Sequence, residues 1–227
     1  MSDTIHTDTI TVGEFRESAG MADWPVVADG ATAFFPTHSY ATSSRLVQAI
    51  CELDGIDDGH ADIDVRSGGV TVRLLTKSAD GYGMSRRDLE LARAISGAAA
   101  ALGLRADPSV VQTVAPIVVG AVDIPKILPF WKALLGYVER PDSPAEDIVD
   151  PRDRGPGVWF EQVEDPASGR PRMHVAVWVP YEQAEARVQA AVAAGGKIIF
   201  DEYAPAWWTL ADAEGNEADI ATPMHRD

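Results

Sequence analysis

The stretch "GHADIDVRSGGVTVRLL", residues 59–75, sets the fold of the first half of the chain. Ile63 and Val65 alternate with Asp62 and Asp64, and Val70, Val72 and Leu74 alternate with Thr71 and Arg73. Successive strand side chains point to opposite faces, so each run carries one apolar face. Ser67, Gly68 and Gly69 between them supply turn chemistry, and the whole predicts a β-hairpin. Its only histidine, His60, raises the question of a catalytic role.

Upstream, "ATAFFPT" (31–37) predicts a short strand. A helix follows from about Thr42 to Leu53, with Leu46, Val47, Ile50 and Cys51 on one face and Asp54-Gly55 as its stop. Cys51 is thereby expected in the core rather than as a nucleophile. Downstream, Ser85 caps a helix whose Asp88, three places on, can reach back to the cap N–H. Leu91, Ile95, Ala98 and Leu102 form its apolar stripe, Gly103 ends it, and Arg86, Arg87 and Arg93 make a solvated face. Residues 1–20 read as a polar segment ordered in part, 21–104 as the first domain, 105–112 as a linker around Asp107-Pro108, and 113–227 as the second domain.

At 227 residues the chain suits two domains of roughly 100 residues, each able to bury a core. Hydrophobic residues make up 46% and charged residues 24%, an ordinary globular balance, and no apolar run approaches the ~18 residues of a membrane span. Lys plus Arg number 19 against 35 Asp plus Glu, a net charge of −16 that argues against nucleic acid and anionic membrane as partners. "MSDTIHTDTI" lacks the order of a signal peptide, and one cysteine makes neither a disulfide framework nor a metal cluster. A cytoplasmic protein is expected.

Residues 113–227 carry an approximate duplication of element order. "APIVVGAVD" (115–123) predicts a strand, "IPKILPFWKALLG" (124–136) a helix, and shorter strands run on to "GVWFEQVED" (157–165). The order restarts with strand "RMHVAVWVP" (172–180), helix "YEQAEARVQAAVAAGG" (181–196) and strands in "KIIFDEY", "WWTLADAEG" and "NEADIAT" (197–203, 207–215, 216–222). The helices end at Gly136 and Gly195.

On "FWKALLGY" (130–137), "RMHVAV" (172–177) and "WTLADAEGNEADI" (208–220), this half resembles the vicinal-oxygen-chelate superfamily, the glyoxalase and bleomycin-resistance group. The resemblance implies two βαβββ modules whose sheets curl around a shared ligand cup. On "GHADIDV" and "GGVTVRLLTK" (within 59–77) with "MSRRDLELARAIS" (84–96), residues 24–104 resemble a pterin-4a-carbinolamine dehydratase domain. That family carries adjacent histidines where this chain has Gly59 and His60, proline at Ala61, and a third histidine at Lys77. As a whole the chain resembles dehydratase–glyoxalase fusions of actinobacterial proteins. The expected fold class is α+β, a helix-flanked antiparallel sheet followed by a paired βαβββ domain.

Dehydrating a carbinolamine means protonating a departing hydroxyl and removing a proton from the neighbouring nitrogen, tasks suited to imidazole. Each acid–base group typically supplies about 10²–10⁴-fold, so one histidine of three points to a degenerate domain. His60 and Lys77 are its remaining catalytic candidates. Lys77, with an ordinary pKa near ~10.4, donates protons better than it accepts them. The other reading of His60 is a loop histidine after the acidic turn, and of Asp88 a cap alone.

In the second domain, alternation puts Trp159 with Glu161, His174 with Ala176 and Trp178, and Glu217 with Asp219. These six polar and aromatic side chains are the candidate ligand contacts. His174, Glu161 and Asp219 could also converge on a divalent metal (Mg, Mn, Fe or Zn), held weakly because the first strand offers no fourth donor. The alternative is a metal-free pocket with no cofactor, walled by Trp159, Trp178 and one of Trp207 and Trp208. The expected function is binding or turnover of a small molecule in this cup, as an enzyme a lyase or isomerase on a small cyclic or carbonyl substrate. Residual 4a-hydroxytetrahydrobiopterin dehydration by His60, and a metal-free sequestering or assembly module, are the alternatives. A homo-oligomer, a dimer, is the expected assembly.

Overall fold

A threonine opens the first ordered helix. Strand β1 (Thr9–Ile10) is followed by α1 (Val12–Glu17), where Thr11 Oγ1 accepts from Glu14 N–H at 3.1 Å and the Glu14 carboxylate accepts from Thr11 N–H at 2.7 Å. This capping box orders a polar segment and turns Phe15 inward to zero exposure, burial worth about 2–3 kcal/mol. Through Phe15, this segment packs into the core of the first unit. In this computed structural model residues 8–78, 81–110, 116–162, 174–179 and 181–222 are described, and the chain divides into units 1–114 and 115–227.

Unit one continues through β2 (Val26–Val27), β3 (Gly30–Pro36) and α2 (Tyr40–Cys51), then the hairpin β4 (Ala61–Arg66) and β5 (Gly69–Leu74). Two short strands, β6 (Thr76–Ser78) and β7 (Gly81–Ser85), precede α3 (Arg86–Ala101). The sheets run β2-β3-β5-β4 and β1-β7-β6, antiparallel throughout. Val70, Val72 and Leu74 form the buried face of β5 as the alternation requires. Gly69 answers a further demand: a Cβ there would sit 2.3 Å from the Phe35 carbonyl oxygen of neighbouring β3.

Two helix faces are rotated from the expected ones. In α2, Leu46 and Ile50 are fully buried, Val47 is half-buried and Cys51 is exposed, so Cys51 is not a core residue. In α3 the buried stripe is Leu91, Ala92, Ile95 and Ala99, while Ala98 is half-buried and Leu102 exposed. Both helices keep part of the expected stripe, Leu46 and Ile50 in α2 and Leu91 and Ile95 in α3, and turn Cys51 and Leu102 away from the core. Leu104 and Ala106 pack on this core, and Asp107 N–H donates to the Phe34 carbonyl at 2.8 Å. The start of the expected linker is thus tied to β3; its last residues, 111 and 112, lie outside the described residues.

Unit two repeats itself. The first module is β8 (Ile117–Ala121), α4 (Ile124–Leu135), β9 (Val138–Glu139), β10 (Asp147–Val149) and β11 (Val158–Gln162). The second is β12 (Val175–Trp178), α5 (Tyr181–Ala193), β13 (Lys197–Phe200), β14 (Trp207–Ala211) and β15 (Glu217–Ala221). Their sheets run β8-β11-β10-β9 and β12-β15-β14-β13, each with its first and last strands parallel and the rest antiparallel. The same non-sequential order twice is the duplication read from the sequence. One core joins Phe130, Trp131 and Leu134 of α4 and Ala184, Val188 and Ala191 of α5 to the inner faces of both sheets. Gly196 lets α5 end against α4, since a Cβ there would meet the Phe130 ring at 2.4 Å.

The turn of "ADAEGNE" (211–217) holds the second module together and reaches the first. Asp212 Oδ1 accepts from Glu214 N–H and Asn216 N–H, each at 2.9 Å, and Oδ2 accepts from Trp131 Nε1 at 3.0 Å and Asn216 Nδ2 at 2.8 Å. Glu214 accepts from Val122 and Asp123 N–H, at 2.7 and 2.6 Å, at the start of α4. Among the described residues no helix is long and apolar enough to cross a membrane.

Candidate functional site

In the first module, β11 sends Val158 and Phe160 into the core and leaves Trp159 and Glu161 on the other face. Register places Val118 of β8 and Asp147 of β10 on either side of Trp159, while their neighbours Val119 and Ile148 are buried. Between β9 and β10 the chain contributes Arg140, Asp142 and Ser143. These side chains, with Phe160, line a cavity of about 520 Å³, within the range that takes a drug-sized molecule. Trp159 is 43% exposed there.

The polar groups of this cavity differ in their surroundings. Arg140 donates to Asp142 through Nε at 2.6 Å and Nη2 at 3.0 Å, a two-point pair in which both side chains are largely buried. Burial, opposed by the Ser143 hydroxyl and the Arg140 charge, pushes the Asp147 carboxyl above the usual carboxylate range. Glu161 is exposed. The arrangement offers an open aromatic face, one guanidinium already matched by a carboxylate, and two further carboxyl groups.

In the second module Asp219 sits mid-sheet, opposite Ala176 of β12 and Thr209 of β14. His174, just before β12, is exposed and places Nε2 3.0 Å from Asp219 Oδ2. Asp219 Oδ1 is buried with no hydrogen-bond partner among the described residues. Glu217 lies half-buried on the same strand face as Asp219. Trp208 joins the core, whereas Trp207 stacks on Tyr203 with ring centroids 4.5 Å apart. The two adjacent tryptophans thus face opposite ways, as alternation demands. The Trp178 side chain lies outside what the structure describes.

His174 and Asp219 meet, but Glu161 does not join them. Among the described residues no three of His, Cys, Asp and Glu group so as to hold a metal ion. Of the proposed metal set, the structure brings His174 and Asp219 together and does not group Glu161 with them among the described residues. Alternation fixes which face each side chain takes, and those faces are as expected. Glu161, however, belongs to one sheet and Asp219 to the other. The two donors that do meet are hydrogen-bonded to each other, with Asp219 Oδ1 left without a hydrogen-bond partner among the described residues.

In unit one His60 is not a free loop histidine. Its Nδ1 lies 3.1 Å from Asp88 Oδ1 and 3.0 Å from Thr76 Oγ1. Asp88, with zero exposure, uses Oδ2 to accept from the Thr76 and Ser85 hydroxyls and the Ser85 N–H, at 2.7, 2.8 and 2.7 Å. The hydrogen bond to Asp88, outweighing partial burial, raises the His60 pKa and makes it a better-held proton donor. Lys77 is exposed on β6, while the preceding Thr76 is buried in the cluster. Strand alternation turns these neighbours to opposite faces, so Lys77 does not join His60. The sequence reading missed the His60–Asp88 contact because a cap occupies only one carboxylate oxygen; a buried Asp at the third helical position leaves the other to be filled.

Comparison with known proteins gives two separate matches along the chain. Residues 116–221 match the family described as a glyoxalase-like domain, and residues 10–98 match pterin 4 alpha carbinolamine dehydratase. The chain thus carries a dehydratase-like domain and a glyoxalase-like domain in tandem. No curated protein matches it. Among solved structures it is similar to a glyoxalase-related enzyme from Fulvimarina pelagi, at 22% identity over 49% of this chain and 88% of that one, TM-score 0.40. It is also similar to a fosfomycin resistance protein from Listeria monocytogenes complexed with Mn(II) and sulfate, at 13% identity over 49% of this chain and 90% of that one, TM-score 0.40. A hypothetical protein from S. aureus aligns at 15% identity over 49% of this chain and 94% of that one, TM-score 0.39.

Proposed function

We propose that this pairing of a dehydratase-like with a glyoxalase-like domain binds a small organic molecule, and that the binding site is the cavity over the outer face of β8, β10 and β11. The observation that carries this reading is Trp159: an indole left open beside two carboxyl groups in a cavity of about 520 Å³. Aromatic surface that could be buried is left in contact with water, which a ligand would reverse at a gain of roughly 25 cal/mol per Å². Glu161 and Asp147 fix the ligand's orientation, and the His174–Asp219 pair is a separate polar site on the second sheet. The test is tryptophan fluorescence of the full chain against a panel of small aromatic and carbonyl compounds. Saturable quenching that vanishes in Trp159→Phe supports the site; quenching that persists in that variant contradicts it.

A second reading has an observation of its own, the His60 imidazole braced by Asp88. With its raised pKa, His60 would protonate the departing hydroxyl of a 4a-carbinolamine. Supplied with the carbinolamine, the protein should then accelerate dehydration over the spontaneous rate, and His60→Ala should abolish the acceleration. No acceleration ends this reading.

A further inference from the structure

The charges around Trp159 restrict what the cavity can hold. Among its described lining residues there are three carboxyl groups, Asp142, Asp147 and Glu161, against the single guanidinium of Arg140. Arg140 and Asp142 engage each other at two points, so the one guanidinium is matched by one of the three carboxylates while its charge also reaches Asp147. Asp147 and Glu161 remain, on the same face as Trp159 and one step from it across and along the sheet. An anion entering here would meet two like charges and a ring face of negative potential. A cation would meet the opposite: carboxylates within reach of its N–H or methyl groups, and an indole face that attracts positive charge. The wider field agrees in sign, since the whole chain carries a net charge of −16.

We infer that the cavity selects an organic cation, an amine, amidine or quaternary ammonium group carried on an apolar body, with the charged group against Trp159, Asp147 and Glu161 and the apolar part along Val118. The inference rests on the cavity being the binding site, and the experiment separates the two. Burial makes the ionised form of Asp147 costly, and a cation bound beside it offsets that cost, so binding strengthens as that carboxyl ionises.

The test uses three soluble benzyl compounds of similar shape: benzyltrimethylammonium, benzyl alcohol and benzoate. Binding is read from the indole N–H signals of the six tryptophans in a ¹H–¹⁵N spectrum of the full chain, with Trp159 assigned from Trp159→Phe. The expected result is a saturable shift of the Trp159 signal by the ammonium compound at concentrations where the alcohol and benzoate leave it unmoved. Asp147→Asn and Glu161→Gln should each weaken that binding roughly tenfold, and Trp159→Ala, followed by backbone shifts of neighbouring residues, roughly 2- to 30-fold. Benzoate or benzyl alcohol shifting Trp159 as readily as the cation overturns the charge selection and leaves the cavity a binding site. Cation binding unaffected when Asp147→Asn and Glu161→Gln are combined also overturns it. If none of the three moves Trp159 at concentrations of roughly tens of millimolar, both the selection and the cavity assignment fall.

Discussion

Asp88 divides its two oxygens between a helix cap and a histidine, and that division sets the pH behaviour of the first domain. The folded state raises the His60 pKa above its ordinary value near 6.5. A raised folded-state value means the folded chain holds the proton more tightly than the unfolded one. The resulting stabilisation is fully present below the unfolded pKa and is lost as pH rises through the folded one. We expect denaturant midpoints of the wild type to fall as pH rises from below about 6.5 through the raised value, with that segment of the profile flattened in His60→Gln. A wild-type profile identical to that of His60→Gln would remove the pair from the account. The faces of Trp159, Glu161, His174 and Asp219 were legible from alternation alone, because a period of two is written into the chain. Their partners were legible only in part: His174 was expected beside Asp219, but with Glu161 as a third member, and Asp147 was not expected beside Trp159, because β10 beside β11 is not a property of local spacing.

Among elements, α1 and the turn between β14 and β15 make the strongest demands on single residues. Phe15 anchors a helix of only six residues, too short to be stable without packing. Phe15→Ala should cost about 3–5 kcal/mol in chemical unfolding, whereas a segment outside the domain would lose nothing. Asp212 collects four hydrogen bonds, including that of the buried Trp131 indole. Asp212→Ala should cost about 2–4 kcal/mol and release the Trp131 N–H to faster hydrogen exchange; a cost below about 0.5 kcal/mol would show the turn holds itself. Element order was readable here because glycine stops, caps and alternating runs are local signals. In the segment before residue 20, expected to be ordered in part, composition averages over the one aromatic, Phe15, that packs into the core. Cys51 and Leu102 were misread because a stripe's period does not set its phase on the core.

At the scale of the whole molecule, the chain joins two domains of different family resemblance, each with its own core and its own polar cluster. A surplus of negative charge surrounds both. If that field assists the cavity, affinity for benzyltrimethylammonium should drop several-fold as salt rises from about 0.01 to 1 M, over which the Debye length shrinks from roughly 30 to 3 Å. Salt-independent binding would assign the selectivity to contact alone. The most direct measurement is chemical-shift mapping of the full chain with a set of small aromatic fragments of all charges. The account predicts that the fragments which bind shift Trp159 together with the backbone signals of Val118, Asp147 and Glu161. Shifts gathered instead around His60 and Asp88, or around His174 and Asp219, with Trp159 unmoved, would contradict it.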